Sequence, residues 1–382
     1  MGSVPGQRPG GWNKDQAGNS AGPPAYNKRM LIEGIFAATT TPFYSDERVY
    51  FRKLEANIAH YSRSLLAGMV VLGSTGEAVT LDDQETRDVL RVAAEAAAPE
   101  KVLIAGVGQE SVKSTVELAE TAAKLEYDAV LVRTPSYYSS QMAPEAVLNY
   151  YESVADRSPL PVLLYNIPRF VPYQIPIALV AELAQHPNII GIKESSGSLD
   201  RIKALVAATR NVARRSVTVT PVFEAVTVRM LKPSTQEAEG ANYVLASDLA
   251  GGIGLATAPP QAPIKTRTKE VGFQVLTGSA STMVESFEAG ATGAILGFAA
   301  CAPQACQEVY LAWKDHDLEL AQEKQTRIAE PSQRITGELG IRGVKYGCDF
   351  NGYYGGNARL PLLRATAEER AEIERLLGGI RN

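Results

Sequence analysis

Short apolar runs of β type recur along the chain at intervals of about 30 residues, the length of one strand-helix unit. They fall at 32–39, 67–73, 101–107, 129–135, 161–167 and 189–195. Between them lie stretches with apolar residues at three- and four-residue steps: 51–66, 82–97, 111–127, 143–155, 177–186 and 199–209. The second of these opens on acidic residues, which suit a helix N-terminus. Such alternation means parallel strands joined by crossover helices. Two further runs, 273–279 and 293–297, bring the strands to eight. Eight near-equal units favour closure into a TIM (β/α)8 barrel over a doubly wound open sheet.

One gap breaks the rhythm. After the sixth helix the next strand begins only at Phe273, which marks 212–271 as an insertion between helix 6 and strand 7. Its Pro233-Ser234-Thr235, Gly251-Gly252 and Pro259-Pro260 segments read as turns, with a β pair expected at 216–222 and 243–245. It should leave the barrel at the N-terminal face, opposite the usual active-site face. The expected organisation is a mobile tail at 1–29, a barrel at 30–300 carrying the insertion, and a closing helix with a C-terminal helical appendage at 301–382. Helical patterns at 304–315, 318–330 and 367–377 support the last part. The tail is rich in Gly, Pro, Asn, Gln and Ser and lacks the apolar core of a signal peptide.

Apolar content of 45% and charged content of 21% are those of a soluble globular protein, and a net charge of -4 offers nothing to nucleic acid or an anionic membrane. The three cysteines, Cys301, Cys306 and Cys348, show no C-x-x-C spacing; a reducing, cytoplasmic setting without a disulfide framework is expected.

Chemistry in such a barrel sits where strands run into loops. Strand six ends on Lys193, closing an otherwise apolar run. A lysine there either carries its head out to water or serves as the amine that condenses with carbonyl substrates. Strand two ends in Gly73-Ser74-Thr75-Gly76-Glu77, where two hydroxyls and backbone N–H groups suit a carboxylate; a plain glycine turn is the alternative. Strand four ends in Thr134-Pro135-Ser136-Tyr137-Tyr138, strand five in Tyr165-Asn166-Ile167-Pro168, and strand seven in Thr277-Gly278-Ser279. A tyrosine closing a strand can move a proton, or simply wedge the rim. Together the lysine, tyrosines, hydroxyls and carboxylate cradle form a set suited to 2-oxo acid chemistry.

These segments, with Thr41-Pro42 and Gly191-Ile192-Lys193-Glu194, resemble the dihydrodipicolinate synthase/N-acetylneuraminate lyase family of class I pyruvate aldolases, over roughly residues 31–211 and 272–380. The resemblance implies a Schiff-base role for Lys193 and a proton-shuttle role for Tyr165. It also implies that Tyr137 is lent across the interface of a homo-oligomer, a dimer or tetramer. Ser74 and Thr75 become the hydroxyl pair that relays protons and binds the substrate carboxylate, with Gly278 and Ser279 beside them. No cofactor and no metal are implied.

Departures from the family pattern bear on the substrate. Synthases carry an arginine five residues after the strand-five tyrosine; here Phe170 stands there, with Arg169 one place early. Sialic acid lyases have an acidic pair after the strand-seven glycine, where this chain has Ser279-Ala280-Ser281. The segments 273–280 and 352–359 look most like 4-hydroxy-2-oxoglutarate aldolases, although the glycine-tyrosine cluster of the latter also suits a packing role. The expected activity is cleavage of 4-hydroxy-2-oxoglutarate to pyruvate and glyoxylate, with dihydrodipicolinate synthase as the alternative and a non-catalytic 2-oxo acid binder as the reading of another class. Glu194 should face away from the site by the two-residue strand period. A metal-dependent aldolase would need clustered ligands, whereas His60, His186 and His316 fall in or beside helical patterns. Gly252-Ile253-Gly254 lacks the remainder of a dinucleotide loop.

Overall fold

The computed structural model describes residues 30–231 and 264–380. The expected tail at 1–29, the expected strand at 243–245 and the turn segments 233–235, 251–254 and 259–260 lie outside these residues.

Eight parallel strands close into a barrel in the order β1-β10-β9-β6-β5-β4-β3-β2. They are β1 (Gly34–Ala38), β2 (Gly68–Val71), β3 (Val102–Gly106), β4 (Ala129–Arg133), β5 (Val162–Asn166), β6 (Ile189–Glu194), β9 (Gln274–Thr277) and β10 (Gly293–Leu296). Alternate side chains fill the barrel, among them Phe36, Ile104, Leu131, Leu163 and Ile295, while their neighbours Leu103, Val130 and Leu164 face the helices. This two-sided burial explains why the strands read as continuous apolar runs. The bottom is plugged by Gln274, whose side chain accepts from the Ile32 N–H and donates to the Met30 carbonyl.

Helices α1 (Phe51–Ser62), α2 (Asp83–Ala96), α3 (Val112–Lys124), α4 (Pro144–Arg157), α5 (Ile177–Leu183), α6 (Leu199–Thr209), α7 (Met283–Glu288) and α8 (Pro303–Lys314) form the outer ring. Their starts follow from local chemistry. Asp82 and Glu85 form a reciprocal capping box at α2, and the Ser111 and Ser198 side chains cap α3 and α6.

The insertion leaves a two-stranded antiparallel sheet, β7 (Arg215–Val219) with β8 (Arg267–Val271). The partner of the first expected strand is therefore 267–271, a segment whose charges hid its β character. Val217, Val219 and Val271 pack with Leu31. Arg215 donates to the carbonyls of His186 and Ile189, and Arg229 to that of Lys101. These contacts are with strand starts, so the sheet sits at the N-terminal face, as the order of elements requires.

The appendage contains α9 (Leu318–Ser332), a wider π-type segment over Gln333–Leu339, α10 (Ile341–Phe350) and α11 (Ala367–Leu377). Tyr353 stacks on Tyr61 and on His60, and the Tyr354 backbone is clasped by the Asn57 side chain, so the glycine-tyrosine cluster docks the appendage on α1. All three cysteines are buried free thiols. Among the described residues no helix is long and apolar enough to cross a membrane.

Candidate active site

Lys193 occupies the penultimate position of β6, and Tyr165 the matching position of β5; the two are register partners. Partners in parallel strands project to the same side of the sheet, here the inside of the barrel at its C-terminal mouth. The Lys193 amine donates to the Tyr165 hydroxyl at 3.1 Å and lies 4.3 Å from the ring centroid. The lysine is 4% exposed. Among the described residues no carboxylate lies within ion-pair distance of it. The amine is thus held against a phenol and left available for covalent chemistry. Tyr165 in turn stands 3.4 Å from the Ser74 hydroxyl, which gives a chain of three groups from β6 to the β2 loop.

The opposite face of β6 fixes this geometry. Glu194 is buried, as the strand period requires, and takes no part in the mouth. Both its carboxylate oxygens lie 2.9 Å from the Asn166 amide nitrogen; Arg201 of α6 donates at 2.7 Å and the Ser196 N–H at 2.8 Å. Asn166 also accepts from the Ile175 N–H. The ends of β5 and β6 are therefore tied together from outside while Tyr165 and Lys193 face in. Gly278 is required at the end of β9: an added Cβ would stand 2.1 Å from the Ser195 hydroxyl. The Ser279 hydroxyl pairs with that of Ser281 at 3.0 Å and its N–H donates to the Thr277 hydroxyl, which shapes the rim.

The β2 loop carries Ser74 and Thr75 in a single tight turn. As the first residues of that turn, their N–H groups have no preceding carbonyl within it to bond. Thr41 braces the turn by donating to the Gly76 carbonyl at 2.7 Å. Glu77 follows in a left-handed conformation, φ 54°, and is anchored from the appendage. Its carboxylate meets the Lys345 ammonium at 2.5 Å and accepts from the Arg359 N–H at 2.8 Å. Lys345 is itself almost wholly buried, donates to the Thr41 and Asn357 carbonyls, and lies over the Phe43 ring. Burial pushes its pKa down, against the pull of Glu77. The Lys345–Glu77 pair was not legible in the sequence, because its members lie at opposite ends of the chain.

Ser74 and Tyr165 open onto a cleft of about 810 Å³, the size of an ordinary small-molecule site. Phe170 and Arg133 also line it. Arg169 does not; its guanidinium caps the Thr336, Gly337 and Glu338 carbonyls where the π-type segment ends. Tyr137 borders the cleft but is 80% exposed, packing edge-on against Tyr138. Within one chain it stays outside the Lys193–Tyr165–Ser74 series. Its loop is held by Glu110, which accepts from the N–H groups of Ser136 and Tyr137 and from Arg133. Burial alone would raise the Glu110 pKa; these donors outweigh it and hold the carboxyl below its usual range.

His60 stacks in the appendage interface, His186 meets Asp156 on the surface and His316 sits in the turn after α8, all away from the mouth.

The model of the dihydrodipicolinate synthetase family matches residues 31–216 and 256–379 of the sequence. The chain belongs to this family. Its members are enzymes, lyases and synthases of the class I pyruvate aldolase type. The 4-hydroxy-tetrahydrodipicolinate synthase of Acidiphilium cryptum is 26% identical over 350 residues, spanning 92% of this chain and 99% of that protein. A probable mitochondrial 4-hydroxy-2-oxoglutarate aldolase of Emericella nidulans is 36% identical over 187 residues, 47% of this chain and 60% of its own length. The solved structure of the chloride-inhibited dihydrodipicolinate synthase from Acinetobacter baumannii, complexed with pyruvate, is similar with a TM-score of 0.72 at 25% identity, covering 92% of this chain and 100% of that one.

Proposed function

We propose that this family member is a Schiff-base-forming aldolase that cleaves 4-hydroxy-2-oxoglutarate to pyruvate and glyoxylate. The observation that carries the reading is the buried Lys193 amine held 3.1 Å from the Tyr165 hydroxyl at the barrel mouth. The unprotonated amine attacks the 2-oxo carbon, and loss of water leaves an iminium. Tyr165 accepts the proton of the 4-hydroxyl, relayed through Ser74. The C3–C4 bond electrons move into the iminium to form an enamine, and C4 departs as the aldehyde of glyoxylate. Protonation at C3 and hydrolysis then release pyruvate and restore the amine. Thr75 and the N–H groups of its turn hold the C1 carboxylate, with the Gly278–Ser279 rim enclosing it. In a homo-oligomer the exposed Tyr137 of one copy completes the relay of its neighbour.

The choice of substrate rests on the cleft. Where the family resemblance leads one to expect an arginine for the semialdehyde carboxylate, Phe170 lines the wall, and Arg169 is committed to backbone carbonyls. A second reading, 4-hydroxy-tetrahydrodipicolinate synthase, is favoured by the Acidiphilium cryptum enzyme of that name, which is similar over nearly the whole chain. Side-by-side turnover distinguishes the two. The expected outcome is cleavage of 4-hydroxy-2-oxoglutarate, with pyruvate and glyoxylate measured as products. Condensation of pyruvate with aspartate semialdehyde should be at least about tenfold less efficient, a difference of about 1.4 kcal/mol. Clear preference for the semialdehyde would establish the second reading instead.

A further inference from the structure

Arg133 closes β4 and is the register partner of Tyr165, which is the register partner of Lys193. The three side chains therefore stand in one row across adjacent strands, all turned into the mouth, with strands spaced about 4.8 Å apart. Arginine is an unusual end to a strand whose inward residues, Ala129 and Leu131, belong to the barrel core. Packing forces it close: a Cβ at Gly108 would come within 2.5 Å of the Arg133 backbone nitrogen and 2.8 Å of its Cγ.

Only one edge of the guanidinium is engaged. Nη1 donates to Glu110 at 2.8 Å, and to the Thr134 carbonyl and the Ser136 hydroxyl at longer range. No hydrogen bond from Nε or Nη2 to a protein acceptor is found among the described residues. The charge is thus oriented by the loop and retains a free, forked pair of donors on a residue that lines the cleft. A planar fork of this kind matches a carboxylate.

We propose that Arg133 is a specificity-determining residue that binds the carboxylate on the aldehyde half of the substrate. This assignment rests on the aldolase reading above and gives it a substrate class, dicarboxylic 4-hydroxy-2-oxo acids. With C2 joined to Lys193 and the 4-hydroxyl at Tyr165, the next group along the row is the C5 carboxylate, which meets the next side chain, Arg133. The hydroxyl-bearing carbon is then clamped between the two reacting groups.

The test compares 4-hydroxy-2-oxoglutarate with 4-hydroxy-2-oxopentanoate, which carries a methyl group in place of the C5 carboxylate, on the full-length protein and its Arg133→Gln and Arg133→Lys variants. Borohydride trapping of pyruvate checks that each variant folds and keeps a competent lysine. The expected result is a loss of about a hundredfold in kcat/KM for the dicarboxylic substrate in Arg133→Gln, with a change of less than about threefold for the methyl analogue. Arg133→Lys should recover part of the loss. Equal losses on both substrates would mean that Arg133 acts only through Glu110 and the Tyr137 loop. No loss on either would mean that it has no role, and both results overturn the assignment. Failure of the parent protein to trap pyruvate would count instead against the aldolase reading itself.

Discussion

Lys193→Met is expected to lower kcat/KM for 4-hydroxy-2-oxoglutarate by about a thousandfold or more while leaving the protein folded. Methionine matches the length of the lysine stem and suits a buried site. The Glu194–Asn166–Arg201 cluster that fixes the end of β6 lies on the other face and remains intact. What disappears is the amine, and with it the iminium that draws electrons out of the C3–C4 bond. Removing a covalent nucleophile costs orders of magnitude even when every binding contact survives. Steady-state kinetics with an unfolding curve beside them provide the check. A folded variant that keeps more than about a tenth of the parent kcat/KM would show that Lys193 is not the nucleophile.

Lys345→Met is expected to destabilise the fold by about 3–5 kcal/mol, because it strands the buried Glu77 carboxylate without its counter-charge. Both partners are nearly inaccessible and 2.5 Å apart. The ammonium also donates to two carbonyls, one from Thr41 beneath the β2 loop and one from Asn357 in the appendage. The same substitution should loosen the Ser74–Thr75 turn that Glu77 terminates, so KM should rise in whatever protein remains folded. The double variant Lys345→Met/Glu77→Gln removes both charges and should recover part of the stability. Denaturant unfolding of the three proteins measures this directly. A single-variant loss below about 1 kcal/mol would mean that the pair is not what joins the appendage to the barrel.

The barrel was legible because its strands are buried on both faces and its helices on one, so two kinds of periodicity alternate without ambiguity. Lys193, Tyr165 and Ser74 were legible because each ends a strand or opens the loop after it, and the structure brings all three together. Helix α10 was not legible. It falls in none of the helical patterns read from the sequence and carries Gly343 and Gly347, residues that weaken a helix, yet both are demanded by packing: a Cβ on Gly343 would reach 2.5 Å from the Ile335 carbonyl, and one on Gly347 would press on Cys301. Strand β8 was not legible because Arg267, Lys269 and Glu270 mask a strand that buries only its end. Arg133 was passed over although the signal was present. A charged residue closing an apolar barrel strand is the same feature that singled out Lys193, here followed at once by the Thr-Pro turn and its tyrosines. In a single chain Tyr137 is 80% exposed at the border of the cleft, apart from the Lys193–Tyr165–Ser74 series.

The most direct test of the account is borohydride reduction of the full-length protein with pyruvate, followed by peptide mass mapping. A single N-(1-carboxyethyl) adduct, pyruvate less the expelled water plus two hydrogens, is expected on the peptide that contains Lys193 and is absent from Lys193→Met. An unmodified protein, or an adduct on Lys345 or any other lysine with Lys193 untouched, would contradict it.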